Sequence, residues 1–398
     1  MTILINGQSK TALATRPYQV CTRCVMDTTD PEIRFDENGI CNHCHVYDRK
    51  VRDDVFTGQE GKRGLQKMID EIKRDGEGKQ YDCIIGVSGG VDSTFVAYKV
   101  KQMGLRPLAV HLDNGWDSEL AVSNIHKALN ILDIDLYTHV IDWEEFKDLQ
   151  VAFLKASTPD SEIPSDHAIV TLMFQLAEKM GVKYVISGRN VRTETHGAKT
   201  WSNGHFDWKY IQSVHKLFGT VPLRTYPHRT QEEERRYLRT QVWFDILNYV
   251  DYVKKDAIEI LGKELGWQYY SGKHYESIYT RFFQGYILPI KFGYDKRKAH
   301  LSSLICSGEM TRAEALEELK KPTYSPSLQE EDREYVVKKL GLTDDEFETI
   351  MCLPKNTIYD YPSYARDNRG MVHRFIRKMR FIPYLAIKIT KKLLRGWR

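Results

Sequence analysis

Residues 88–93 of this 398-residue chain read Ser-Gly-Gly-Val-Asp-Ser. They follow an apolar run, Cys83-Ile-Ile-Gly-Val87, and open a helical pattern from Thr94 to Met103. A strand, a glycine turn and a helix N-terminus, in that order, make a cradle for an anion. Unpaired backbone N–H groups and the positive end of the helix dipole aim at one place. Gly89 and Gly90 let the backbone close on a ligand without Cβ obstruction. Ser88 and Ser93 offer hydroxyls, and Asp92 offers a carboxylate able to hold Mg²⁺ on the same phosphates. The loop is not a Walker A motif, because no Gly-Lys-Ser/Thr follows.

A second cluster suits a metal. Cys21-x-x-Cys24 and Cys41-x-x-Cys44 are separated by 16 residues. Two such knuckles can place four thiolates tetrahedrally around Zn²⁺, with no coordination position left open. The expected site is therefore structural. His43 and His45 are alternative ligands. Cys83, Cys306 and Cys352 are isolated. An odd number of cysteines with four in one cluster points to a metal in a reducing cytoplasm, not to a disulfide framework.

Other candidates fall at strand ends. His111-Leu-Asp113-Asn-Gly115 closes the second apolar run. Asp113 can bond to a ligand or serve an Asn-Gly turn. Ser187-Gly188-Arg189-Asn190 closes the fourth, where Gly188 permits close approach, Arg189 would neutralise phosphate and Asn190 could read a polar group. Asp166, in Ser165-Asp-His167, reads equally as a catalytic or substrate group and as a helix N-cap. Residues 201–209 are rich in Trp, His, Asn and Asp, as a substrate loop would be.

The elements that must position these groups alternate. Strands are expected at Cys83–Val87, Leu108–Leu112, Tyr137–Ile141 and Tyr184–Ser187. Helices are expected at Ser93–Met103, Ser118–Leu132 and Ala168–Met180. That alternation implies an α/β unit with a parallel sheet whose ligand sits at the carboxyl ends of the strands. Ser88, His111, Asp142 and Gly188 should then converge. The expected organisation is a zinc ribbon over 16–60, the α/β domain over 80–230, and a helical lid over 231–365. Capping boxes mark the lid at Thr311/Glu314, Ser327/Glu330 and Thr343/Glu346.

The net charge of +4 conceals a division. Residues 371–398 hold nine Lys or Arg and no acidic residue, leaving 49 basic against 54 acidic groups elsewhere. The body is no polycation, so an extended nucleic-acid surface is disfavoured. The tail interleaves apolar and basic residues at helical spacing, which suits an anionic membrane surface or an acidic partner. No secretory signal and no membrane span is read, and a cytoplasmic location, with the tail able to reach the inner face of a membrane, is expected.

The loop resembles that of the PP-loop (adenine nucleotide α-hydrolase-like) ATP pyrophosphatases, which release pyrophosphate and pass AMP to a substrate oxygen. Three stretches together resemble the N-acetyl sugar amidotransferases of surface-polysaccharide biosynthesis. These are 21–33 (CTRCVMDTTDPEI) with Cys41-Asn-His-Cys44, the loop itself, and 298–312 (KAHLSSLICSGEMTR). The resemblance implies ATP and Mg²⁺ bound by Val87, Ser88, Gly89, Gly90, Asp92, Ser93, His111, Asp113 and Gly188. It further implies Lys291 and Arg297 holding the departing pyrophosphate, and Asp166, Arg189 and Asn190 facing an acetamido sugar that becomes an acetamidino sugar. Ammonia would come from a separate glutaminase resembling that of imidazole glycerol phosphate synthase, with a cyclase-like partner. PP-loop tRNA thiolases are the alternative, but they carry a CxxC pair where this chain has Ser165-Asp166-His167.

Overall fold

The computed structural model describes residues 16–369, apart from 271, 273 and 274. The basic segment 371–398 and the membrane contact expected of it lie outside the described residues.

Five parallel strands form one sheet in the order β3-β2-β1-β4-β5. They are β1 (Cys83–Gly86), β2 (Pro107–Asp113), β3 (Asp135–Val140), β4 (Tyr184–Ser187) and β5 (Val242–Asp245). The register sets Ile84 beside Leu108 on one side and Val185 on the other. Central strands of such a sheet are covered on both faces, so β1, β2 and β4 are almost wholly buried and read as continuous apolar runs. Side chains alternate between faces. Ile84, Val110 and Val185 enter one core, while Cys83, Ile85 and Ile186 enter the other.

The second core is closed by the helices Val91–Gln102, Glu119–Leu132 and Lys254–Leu265, through Phe95, Ile125 and Leu261 among others. The first is closed by Trp143–Ala156 and Ile163–Lys179. The C-terminal helices pack into that same core through Phe282, Phe283, Val336 and Phe347.

Two expectations are corrected here. The α/β unit does not end at 230, because β5 pairs with β4 from Tyr184/Val242 to Ser187/Asp245. Residues 231–365 are not one lid either, since Lys254–Leu265 lies on the opposite face of the sheet from Pro326–Lys339. Of the three capping boxes, Thr311/Glu314 and Thr343/Glu346 form. The helix between them starts instead at Ser325, whose hydroxyl accepts from Leu328 N, with Pro326 in its first turn.

The strand order reverses between β1 and β4, so the crevice for a ligand opens above those two carboxyl ends. Gly89 makes the turn there at φ +79°, and a Cβ on it would lie 2.7 Å from Ala121 O. We predict that Gly89→Ala lowers unfolding stability by about 1–3 kcal/mol, measured by denaturant titration, and weakens nucleotide binding with it.

Candidate active site

The loop after β1 is held by its own hydroxyls. Ser88 N donates to Ser93 Oγ at 3.2 Å, and Ser93 Oγ donates to Gly90 O at 3.2 Å. Thr94 Oγ1 caps the same carbonyl at 2.8 Å. Gly90 is the N-cap of Val91–Gln102, so the first N–H groups of that helix have no partner within it. The loop is fixed from outside by Trp267 Nε1 and Tyr270 OH, which both donate to Gly89 O at 2.8 Å. Gly188, at the end of β4, lies against the backbone of Asp92, where a Cβ would come within 3.1 Å of it. Asp92 accepts from the buried hydroxyl of Tyr252.

Two cavities flank the loop. One, of about 280 Å³, is lined by Gly90, Asp92, Gly188, Arg189, Glu194 and Lys254. The other, of about 460 Å³, runs past Val87, Ser88 and Ser93 to His111, Asn114 and Asp117. Its far wall is charged, with Asp160, Glu162, Asp166 and Lys296. His111 is anchored by Val87 O at 3.0 Å and Asp117 at 3.1 Å. Burial opposes its protonation, yet the Asp117 carboxylate holds its pKa above the ordinary value.

The charged wall is one coupled network. His205 Nε2 lies 3.2 Å from Asp160 and 3.3 Å from Asp166. Ser202 donates to Asp160 at 2.5 Å. Lys296 lies 3.6 Å from Glu162, which also accepts from Gln284 at 2.8 Å. Burial works against charge on His205, but the two carboxylates raise its pKa to about 9. Asp166 stands above the ordinary carboxylate value, at about 6, by desolvation first and then by Asp160 and Glu162, although its side chain keeps about half of its surface in solvent (53 %), which moderates the shift. The network thus pairs a cationic imidazole with a carboxyl that titrates near neutrality.

The expected residues divide. Val87, Ser88, Gly90, Asp92, Ser93, His111, Asp166, Gly188 and Arg189 line the cleft, and Gly89 shapes it. Asp166 is not the N-cap of Ile163–Lys179 but sits in its first turn. Lys291 is corrected: it is 7 % exposed and donates to Ile350 O, away from the cleft. Asn190 is corrected too, since its Oδ1 caps a short helix by accepting from Thr193 N at 2.9 Å. Asp113 closes its own turn, accepting from Gly115 N at 2.9 Å, and Asn114 faces the cavity instead. Asp142 caps Trp143–Ala156 and does not converge with the other strand ends. Arg297 is tied to Asp295 and to the carbonyls of Lys321 and Pro322, beside a neighbouring cavity.

Lys296, between the two expected cations, is the residue that reaches the cleft. Lys291 belongs to the π-helix Phe283–Phe292, which stops at Gly293, whereas Lys296 follows in the connection that caps the helix Arg297–Ser307. Asp160 and Glu162 were missed, whereas His205 lies in the 201–209 stretch expected as a substrate loop. An acidic pair directly before a helix was the available signal for the first two.

The four cysteines fit zinc. All are fully buried, with Sγ atoms within 4.8 Å of one another. The Cys24–Cys41 and Cys41–Cys44 separations are 3.7 Å and Cys21–Cys44 is 3.9 Å. Tetrahedral Zn–S bonds of about 2.3 Å require sulfur spacings of about 3.8 Å. Met26 N at 3.4 Å and Cys41 N at 3.2 Å donate to sulfur, as suits thiolates. The histidines are engaged elsewhere, His43 with Asp30 at 2.7 Å and His45 with Asp36 at 2.8 Å.

A parallel five-stranded sheet with a glycine-rich strand-to-helix loop at its switch point, and a four-cysteine cluster ahead of it, defines an α/β protein with an N-terminal segment suited to a metal. Residues 276–380 match the family described as "LPS biosynthesis protein WbpG-like, C-terminal domain". Over that segment the chain is similar to proteins of lipopolysaccharide biosynthesis. Among curated proteins, none matches. Among solved structures, the NH3-dependent NAD synthetase of Campylobacter jejuni subsp. jejuni NCTC 11168 is 14% identical with a TM-score of 0.28, covering 75% of this chain and 99% of that one. The NMN synthetase of Francisella tularensis is 18% identical with a TM-score of 0.27, covering 52% and 94%. Likeness at that level carries no argument about this chain.

Two outcomes follow from the geometry. Cys21→Ser is expected to abolish stoichiometric zinc on elemental analysis and to expose the 16–54 segment to protease, because metal and folding are linked there. His205→Gln is expected to cost stability with a defined pH window. The folded-state pKa is raised, so the native contribution is complete below about pH 6.5 and disappears as pH rises through about 9. The variant should be weakened by at most about 3 kcal/mol at pH 6 and by little at pH 10, in urea titrations at both.

Proposed function

We propose that the chain is an ATP-dependent amidotransferase that converts the acetamido group of a sugar to an acetamidino group in surface-polysaccharide biosynthesis. The observation that carries this is the phosphate cradle at Ser88–Ser93 opening into a cleft walled by the WbpG-like segment, through Glu276, Gln284 and Lys296.

ATP would place its adenosine along Val87, His111 and Asn114 and its phosphates over the loop. Asp92, on a cavity shared with Glu194 and Glu276, supplies the oxygen donors that suit Mg²⁺. Bound there, that ion would neutralise phosphate charge. The amide oxygen forms a bond to the α-phosphorus while the bond to the β-phosphate oxygen breaks, and pyrophosphate leaves. Loop N–H groups, Arg189 and Lys254 stabilise the charge that develops on the phosphates. Ammonia adds to the imidate carbon, AMP departs with the former amide oxygen, and the amidine keeps the nitrogen. Ammonium must first give up a proton, and Asp166, ionised above about pH 6, is placed to take it.

Sulfur transfer of the tRNA-thiolase kind is less well supported. Among the described residues no cysteine lines either cavity at the loop. A glutaminase likewise needs an activated cysteine. Cys83 is buried in β1 with its pKa pushed up by desolvation, Cys352 ends a helix, and Cys306, though 3.7 Å from His196, sits 3.9 Å from Cys44 of the metal cluster and lines neither cavity at the loop. Ammonia is therefore assigned to a partner glutaminase, with a cyclase-like subunit beside it.

The test is mass spectrometry of acetamido sugars incubated with the chain, ATP, Mg²⁺ and ammonium salt. The expected product is lighter by the difference between an oxygen and an NH group, and AMP forms in equal amount. Glutamine should replace ammonium only when a glutaminase is added. Ser88→Ala combined with Asp92→Asn is expected to lower kcat by about 10²–10³ with the fold intact by circular dichroism. Turnover of the double variant at the native rate, or AMP formation without a modified sugar, would remove the assignment.

A further inference from the structure

A third cavity, of about 290 Å³, opens beside the nucleotide cleft and shares Gln284 and Lys296 with it. It also shares Glu194 with the cavity that holds Asp92. Its walls include Trp201, Tyr275 and Tyr324, with His196, Ala299 and Ser303 between them.

Two observations define what fits. The first is charge. Every cation on the wall with a resolved pair is already balanced: Arg281 grips Asp332 through two 2.7 Å contacts, Arg297 grips Asp295, and Lys296 faces Glu162. A phosphate or carboxylate entering here would have to break one of these pairs. The second is unmet hydrogen bonding. Trp201 Nε1 and Tyr324 OH are both buried without a partner. The carboxylate near Tyr324, Asp332, is taken up by Arg281. Buried polar groups of that kind are costly unless a ligand or water completes them. Aromatic walls with a few polar groups, in a volume near the ~300 Å³ lower limit of ligand pockets, suit one neutral polar ring.

We infer that this cavity seats the sugar ring of the acceptor, an uncharged N-acylated monosaccharide unit, with its acyl group directed past Gln284 and Lys296 toward the phosphate loop. Any nucleotide or lipid carrier on the sugar lies outside, through the open side. The assignment rests on the proposed reaction for its direction but not for its chemistry of recognition. More than half of the cavity wall comes from the segment that resembles the WbpG-like domain, whereas the nucleotide cleft draws mainly on the strand ends.

The cavity also explains a role for the cysteine cluster. Trp201 and Ala198 belong to the same small core as Cys21, Cys24, Cys41 and Cys44, and Ala299 packs against it. Thr200 donates to Asp30 of the ribbon at 2.8 Å. The metal ribbon thereby holds one wall of the ring site.

The test is saturation-transfer NMR of N-acetylglucosamine and N-acetylmannosamine on the full chain without ATP, with glucose as the control. The native chain should give signals for an N-acetyl sugar and weaker ones for glucose. Ala299→Leu, which fills the cavity, should abolish them. Tyr324→Phe, which removes one hydroxyl from a residue of unchanged shape, should weaken sugar binding about tenfold. ATP affinity by calorimetry should be unchanged in both. The inference is overturned if the native chain binds no N-acetyl sugar, if both variants bind as the native chain does, or if they lose ATP instead. Failure of the reaction itself would appear separately, as absence of AMP and of modified sugar from a chain that still binds the ring.

Discussion

The left-handed turn at Gly89 is the constraint on which the rest of this molecule depends. Its carbonyl points away from the ligand side and is held by Trp267 and Tyr270. Those two residues follow the helix Lys254–Leu265, which packs beneath the opposite face of the sheet. The chain then continues to Glu276 and Ser277, whose backbone meets Asp117 and Ser118 across the cleft. One carbonyl thus couples the phosphate loop to the segment that walls the active site. A side chain at 89 would break that coupling by collision with Ala121 before it touched any ligand.

A consequence is that the site is assembled from distant parts of the sequence around a nearly rigid loop. The sheet contributes strand ends that carry backbone donors and few charges. On the far wall the charges come from 160–166, 205 and 296, where three carboxyl groups face two cations. Asp160 is held below the usual carboxylate range despite burial, because His205 and Lys296 face it. Asp166, on the rim, is held above that range by desolvation first and then by Asp160 and Glu162. Two carboxylates six residues apart therefore take up protons in well-separated pH ranges, both being ionised at pH 7, so one acidic wall can hold a cation and still exchange a proton just below neutrality.

The reading of the sequence succeeded where local chemistry and strand periodicity decide the structure. β1, β2 and β4 are apolar on both faces and leave no other assignment, and the glycines and serines of 88–93 act through backbone and short side chains. It failed where tertiary packing sets the answer. β5 is a four-residue edge strand after an Arg- and Glu-rich helix, too short to show a period. Lys291 and Lys296 are both basic in a basic run, and only the packing decides that the first, inside the π-helix, is buried while the second, after its end at Gly293, faces the cleft. Asp113 and Asn190 have side chains that suit a ligand and a turn equally well, and the turn took both.

The zinc ribbon and the WbpG-like segment are far apart in sequence but act as one body. Arg312 donates to the carbonyls of Cys21 and Cys24 at 2.9 and 3.0 Å, and Lys298 pairs with the buried Asp27 at 2.5 Å. Val25 joins Leu301 and Ala315 in a common apolar cluster. The ribbon has few apolar residues of its own, so it leans on this contact and on its four-cysteine cluster. The segment in turn gains a rigid support on the side where it contributes to the third cavity. A metal in the four-cysteine cluster would stiffen that wall, and discrimination between one polar ring and another depends on donors and acceptors that do not move to accommodate the wrong partner.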